Sequence, residues 1–163
     1  MALLSRWVRP PAALRKMFAP HERTLAVGDT ADATVVASNL GLWLPDGSSW
    51  RRVGWQDVVK ATWTGDSLKL IEGTVDDGLI TDLPIQTVAL SDPRNLPAVV
   101  RIRVEASIAR WEQVHVPGGS ARLVARRVPG VDGLTWTARL DTGTPDSEAA
   151  RAVLRSYLEQ VAT

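Results

Sequence analysis

The chain has 163 residues, enough for one domain or for one domain with a substantial extension. A hydrophobic fraction of 45% and a charged fraction of 23% exclude a disordered or membrane-embedded composition, and a net charge of +1 excludes strong, diffuse attraction to nucleic acid. With no cysteine, disulfides, thiol catalysis and thiolate metal sites are excluded too.

The chain opens MALLSRWVRPPAALRKMFAP. No apolar run here or later reaches the length of a membrane-spanning helix. Arg6, Arg9, Pro10 and Pro11 interrupt what would be the core of a secretory signal, so a soluble, cytoplasmic protein is expected. Residues 1–21 read as a basic N-terminal arm. Arg6, Arg9, Arg15 and Lys16 sit beside Leu3, Leu4, Trp7, Leu14, Met17 and Phe18. Such a segment can touch a membrane or a partner, or pack as a short helix on its own domain; the second is the plainer expectation.

From Glu22 to about Leu90 the pattern is one of short strands and turns. Strands are expected at 23–27, 34–37, 42–44, 50–55, 58–64, 67–72 and 87–90. Ser38-Asn39-Leu40-Gly41 and Pro45-Asp46-Gly47 supply turn chemistry between them. The segment EGTVDDGLITD, with Glu72, Asp76, Asp77 and Asp82, lacks the regular alternation of oxygen ligands in a calcium loop and reads as a solvated acidic loop. Residues 91–106 carry two periodicities. Leu96, Val99, Val100 and Val104 share a helical face, yet Val100, Ile102, Val104, Ala106 and Ile108 alternate like a strand. A short helix near 94–104 that passes into a strand at 107–116 is expected. Strands at 121–127 and 134–140 complete a three-stranded meander. A last helix follows, with Thr144 as its N-cap and Pro145 at its first position. Ala150, Val153, Leu154, Tyr157, Leu158 and Val161 form its apolar stripe.

Trp55, Trp63 and Trp136 alternate with polar neighbours as core residues do, whereas Trp43 and Trp50, beside Arg51 and Arg52, fit a core or a stacking surface equally. The run ERTLAV, TVVASNLGLWLP, WRRVGWQDVVKATW and DSLKLI resembles bacterial pleckstrin-homology-like domains over residues 22–106. The whole chain looks like a member of an actinobacterial family that brings no catalytic residues to carry over. The resemblance implies an α+β fold, mostly antiparallel: a partly open barrel or curled sheet closed by a helix. Here the meander and the amphipathic C-terminal helix of 107–163 would pack on it as one unit. It also implies binding of lipid headgroups, peptides or proteins. Phosphoinositide-binding members place Lys and Arg in the first hairpin loop; here that loop, Val27 to Asp32, is acidic.

His21 and His115 are the only histidines and are expected in solvent. No nucleophile elbow, P-loop or dinucleotide fingerprint is present, so no catalytic residue, metal ligand or cofactor is expected. One basic constellation stands out. If 121–127 and 134–140 pair as a hairpin with Leu123, Ala125, Trp136 and Ala138 inward, then Arg122, Arg126 and Arg139 share the outer face, and Arg110 joins them from the preceding strand. Guanidinium forks suit phosphate or a partner's carboxylates. The leading expectation is therefore a non-catalytic binding or scaffolding protein that docks a protein or peptide. The alternative is a peripheral binder of anionic membrane or nucleic acid through the N-terminal arm and these arginines.

Overall fold

A computed structural model describes residues 9–162. In chain order the elements are α1 (Ala12–Arg15), β1 (Thr24–Asp29), β2 (Thr34–Ser38), β3 (Gly41–Asp46), β4 (Ser49–Gly54), a 3-10 turn (Trp55–Asp57), β5 (Val58–Thr64), β6 (Ser67–Asp76), β7 (Leu79–Asp82), β8 (Gln86–Ala89), α2 (Leu96–Ser107), β9 (Ile108–Val116), β10 (Gly119–Arg126), β11 (Thr135–Leu140) and α3 (Glu148–Val161). The class is α+β and mostly antiparallel.

Strands β1 to β4 form a four-stranded meander. The other seven form a curled sheet in the order β5-β6-β7-β11-β10-β9, with β8 beside the first half of β6. The β2–β3 turn behaves as its residues dictate: the Ser38 hydroxyl accepts the N–H groups of Leu40 and Gly41 at 3.1 and 3.2 Å. Gly41 is required there, because an added Cβ would lie 2.4 Å from the Val53 carbonyl oxygen.

Three apolar clusters hold the chain. The first joins Val35, Ala37, Leu42, Leu44, Val53 and Trp55 of the meander to Val58, Leu68 and Leu70, with α2 closing it through Leu96 and Val100. The second lies under α3, where Ala150 and Leu154 cover Leu79, Val114, Leu123 and Ala138. The stripe expected on this helix is the face it buries. In the third, Leu14 is buried against Val27, Val36 and Trp43, and Phe18 stacks on Trp43 at 5.8 Å. Residues 9–21 therefore pack on their own domain. The rest of the expected basic arm, with Arg6 and Trp7, lies outside the described residues.

Three expectations need correction. The segment 94–104 is helical as expected, but the helix is displaced, running from Leu96 to Ser107; its period wins because it buries Leu96 and Val100, leaving Ile102 of the rival pattern 61% exposed. The acidic segment is no loop. Asp77 and Gly78, with φ of 51° and 79°, make a tight turn that joins β6 to β7 and puts Leu79 in the second core. The strands of the second segment join the first by pairing as well: β11 bridges β7 in parallel at Ala138 and Leu79, so β9–β11 extend the sheet begun by β5 and β6. Finally, α3 starts at Glu148 with Ser147 as N-cap, its hydroxyl accepting the Ala150 N–H. Thr144 is used elsewhere, its hydroxyl accepting the Ser120 N–H at the β9–β10 turn.

Candidate functional site

The four arginines expected on one strand face occupy three different settings. In the β10–β11 ladder Arg122 lies opposite Arg139, and in the β9–β10 ladder it lies opposite Gln113. These three share a face. Arg110 lies opposite Ala125, which lies opposite Trp136, so Arg110 belongs to the α3 side, where its guanidinium caps the Trp136 ring at 5.1 Å. Arg126 is on the expected face but is 6% exposed.

The alternation that assigned Arg126 to the outside was right about the side and blind to what covers it. The 3-10 turn and the start of β5 close over this end of β10. Arg126 Nη1 donates to the Ser107 hydroxyl at 2.8 Å and to the Trp55 carbonyl at 3.4 Å, and Nη2 donates to the Val58 carbonyl at 3.3 Å. Burial pushes the Arg126 guanidinium below its ordinary pKa, and the charge of Asp57 opposes that. Asp57 is pushed up, first by burial, then by Glu72, with Arg126 pulling it back. A cation held by carbonyls rather than by solvent is a structural tie between β10, α2 and β5, not a contact for an outside anion.

Arg139 is also engaged. Its Nε and Nη2 donate to the two carboxylate oxygens of Asp82 at 2.9 and 2.6 Å, tying β11 to β7. This forked bond raises the Arg139 pKa and lowers that of Asp82. Other acids of the β6–β7 hairpin are similarly taken: Glu72 accepts from Arg51 at 2.9 Å and Asp77 from Arg155 at 2.8 Å. Among the described residues no three His, Asp or Glu side chains gather in a metal-binding group. His21 and His115 are exposed, as expected.

What remains is Arg122 and the strand beside it. β9 is the edge of the curled sheet, nine residues long, and among the described residues its outer side pairs with no strand. Arg110, Trp111, Glu112, Gln113 and His115 on it are exposed. Trp111 is 56% exposed, and the Arg122 guanidinium lies over its ring at 4.2 Å. Beside them Asp141 accepts from the Ser120 hydroxyl and from Gln113 at 2.9 Å; those bonds, more than the nearby Arg122 charge, hold its carboxyl below the usual range. Trp55 and Trp43 are buried, while Trp63, Trp136 and Trp50 are partly covered. Trp111 is not among the tryptophans that the sequence reading assigns to a core or a stacking surface. Its signal lies in the residues two away that share its strand face, Ala109 and Gln113, neither of them a large apolar side chain.

Among the described residues no helix is long and apolar enough to cross a membrane. Comparison of the chain with protein-family models, with curated proteins and with solved structures finds no match to any of them.

Proposed function

We propose that this chain is a non-catalytic binding or scaffolding module, and that it docks an extended peptide along the free edge of β9. The observation that carries this reading is the long unpaired strand with a half-exposed indole at its middle, propped by Arg122. A peptide adding to such an edge gains main-chain hydrogen bonds from the strand and side-chain specificity from the aromatic platform. Natural proteins usually blunt long edges with inward charges, prolines or covering loops. β9 has a bulge near Ala109 and carries Arg110 and Glu112 on its α3 side, but it has no proline, and Trp111 lies beyond the bulge on the other face.

The resemblance to pleckstrin-homology-like domains supports the same reading for residues 22–106. Members of that family bind peptides or proteins among other ligands, which is the kind of partner proposed here. Peptides selected from a random display library supply the probe. They should shift the amide resonances of residues 108–116, lose binding on alternate N-methylation, and bind about tenfold more weakly to Trp111→Ala. Selected peptides that map elsewhere, or whose binding survives both changes, would defeat the proposal.

A further inference from the structure

A groove of about 480 Å³ opens where the end of α2 meets the close of β10. Arg103 and Arg127 line it, with Asn39, Trp55, Val128 and Pro129. Its volume is that of a small-molecule site. Among the described residues no carboxylate lines it. Elsewhere arginines are spent on acids: Arg51 on Glu72, Arg52 on Glu22, Arg94 on Asp29, Arg139 on Asp82. Arg103, by contrast, has no hydrogen bond or ion pair among the described residues. Arg127 spends one N–H on the Ala106 carbonyl at 3.0 Å and has no carboxylate partner there.

Directly behind the groove lies Arg126. Two of its acceptors, the Ser107 hydroxyl and the Trp55 carbonyl, belong to residues that line the groove. Three guanidinium charges thus surround one recess. The opposing charges are Asp57, which acts on Arg126, and the C-terminal end of α2, equivalent to about half an elementary charge. One of its last carbonyls, that of Ala106, already accepts from Arg127. The balance is positive. The other half of the lining, Trp55, Val128, Pro129 and Ala106, is mainly apolar.

We propose that this groove binds a free amphiphilic oxyanion, its carboxylate or phosphate head between Arg103 and Arg127 and its apolar body on Val128 and Pro129. The charge selects the head, since guanidinium forks match both kinds of oxyanion. The recess selects a single free molecule rather than a membrane surface, because the cations line a cleft and not a protruding rim. The site is separate from the β9 edge and does not depend on peptide docking there.

The test titrates the whole chain with octyl phosphate, octanoate, octanol and inorganic phosphate, the amphiphiles below their micellar concentrations, and follows amide resonances. Either amphiphilic anion should saturate, with shifts confined to residues 103–107 and 127–129 and their neighbours. Octanol and inorganic phosphate should bind at least about tenfold more weakly, each lacking one half of the ligand. The double variant R103Q/R127Q should weaken the anion by about tenfold or more while leaving the β9 amide pattern intact. Val128→Glu, which sets an acid in the apolar half, should do the same by repulsion. Absence of saturable shifts with both amphiphilic anions, equal binding to R103Q/R127Q, or binding only to vesicles of anionic phospholipid would overturn the proposal.

Discussion

Glu22 illustrates how much one carboxylate can organise. Its side chain is fully buried and accepts from the Ala19 N–H, the Ser38 hydroxyl, the Trp43 indole and Arg52. Burial pushes its pKa up, but those donors together pull it lower still, below the ordinary 4.5. A lowered native pKa means stability that is fully present above the unfolded value and lost as pH falls through the native one. Acid unfolding monitored from neutral pH downward should therefore steepen below about 4.5, and Glu22→Gln should flatten that limb. The same variant should lose about 1–3 kcal/mol at neutral pH, read by urea titration, because buried donors are left with a weaker acceptor. Nothing in the sequence announced this. Glu22 looks like the polar start of a strand; apart from the nearby Ala19 N–H, its partners stand 16 to 30 residues away, and only folding brings them together. Tryptophan burial was more legible, since a side chain of that size seldom finds enough cover anywhere but a core. Alternation also placed Leu123, Ala125, Trp136 and Ala138 on the correct side. It could not say that the opposite side is covered at Arg126, because cover comes from β5, some 68 residues earlier.

Elements were readable in proportion to their local signals. Most strands of the meander fall within a residue or two of their expected limits, each flanked by turn residues that accept their conformations cheaply. β7 was missed although its Asp-Gly turn is a strong hairpin signal; the acidic residues around it drew the reading toward solvent. The start of α3 shows the reverse difficulty, two capping signals in close succession. Thr144-Pro145 had the composition of a cap, but its hydroxyl is taken by Ser120, and Ser147 does the capping. Ser147→Ala should cost about 1 kcal/mol in stability with amide protection lost first in residues 148–151. Thr144→Ala should spare those amides and loosen the β9–β10 turn instead. Equal fraying of α3 in both variants would contradict this assignment.

At the scale of the molecule, the two larger cores are coupled by β6 and by Arg126. The first half of β6 pairs with β5 and β8 and places Leu68 and Leu70 in the first core; the second half pairs with β7, whose Leu79 enters the second. Arg126 spans the same seam from the other end. Arg126→Met keeps most of the stem and removes three donors. It should destabilise by about 3 kcal/mol, since one hydroxyl and two carbonyls lose their partner in a buried place. If the seam couples the cores, amides under α3 and amides of the meander should lose protection together; loss confined to one of them would show that they fold independently.

The loop from Gly130 to Gly133, just beyond the groove, gives the chain a place where it can be opened at little cost. Its residues are exposed, it belongs to neither sheet, and Gly130 and Gly133 stand at φ of 80° and 74° with open space where a side chain would go. New termini or a short affinity tag would fit there without severing β6, whereas a cut in that strand would break its pairing with β5 and β8 in the first half or with β7 in the second.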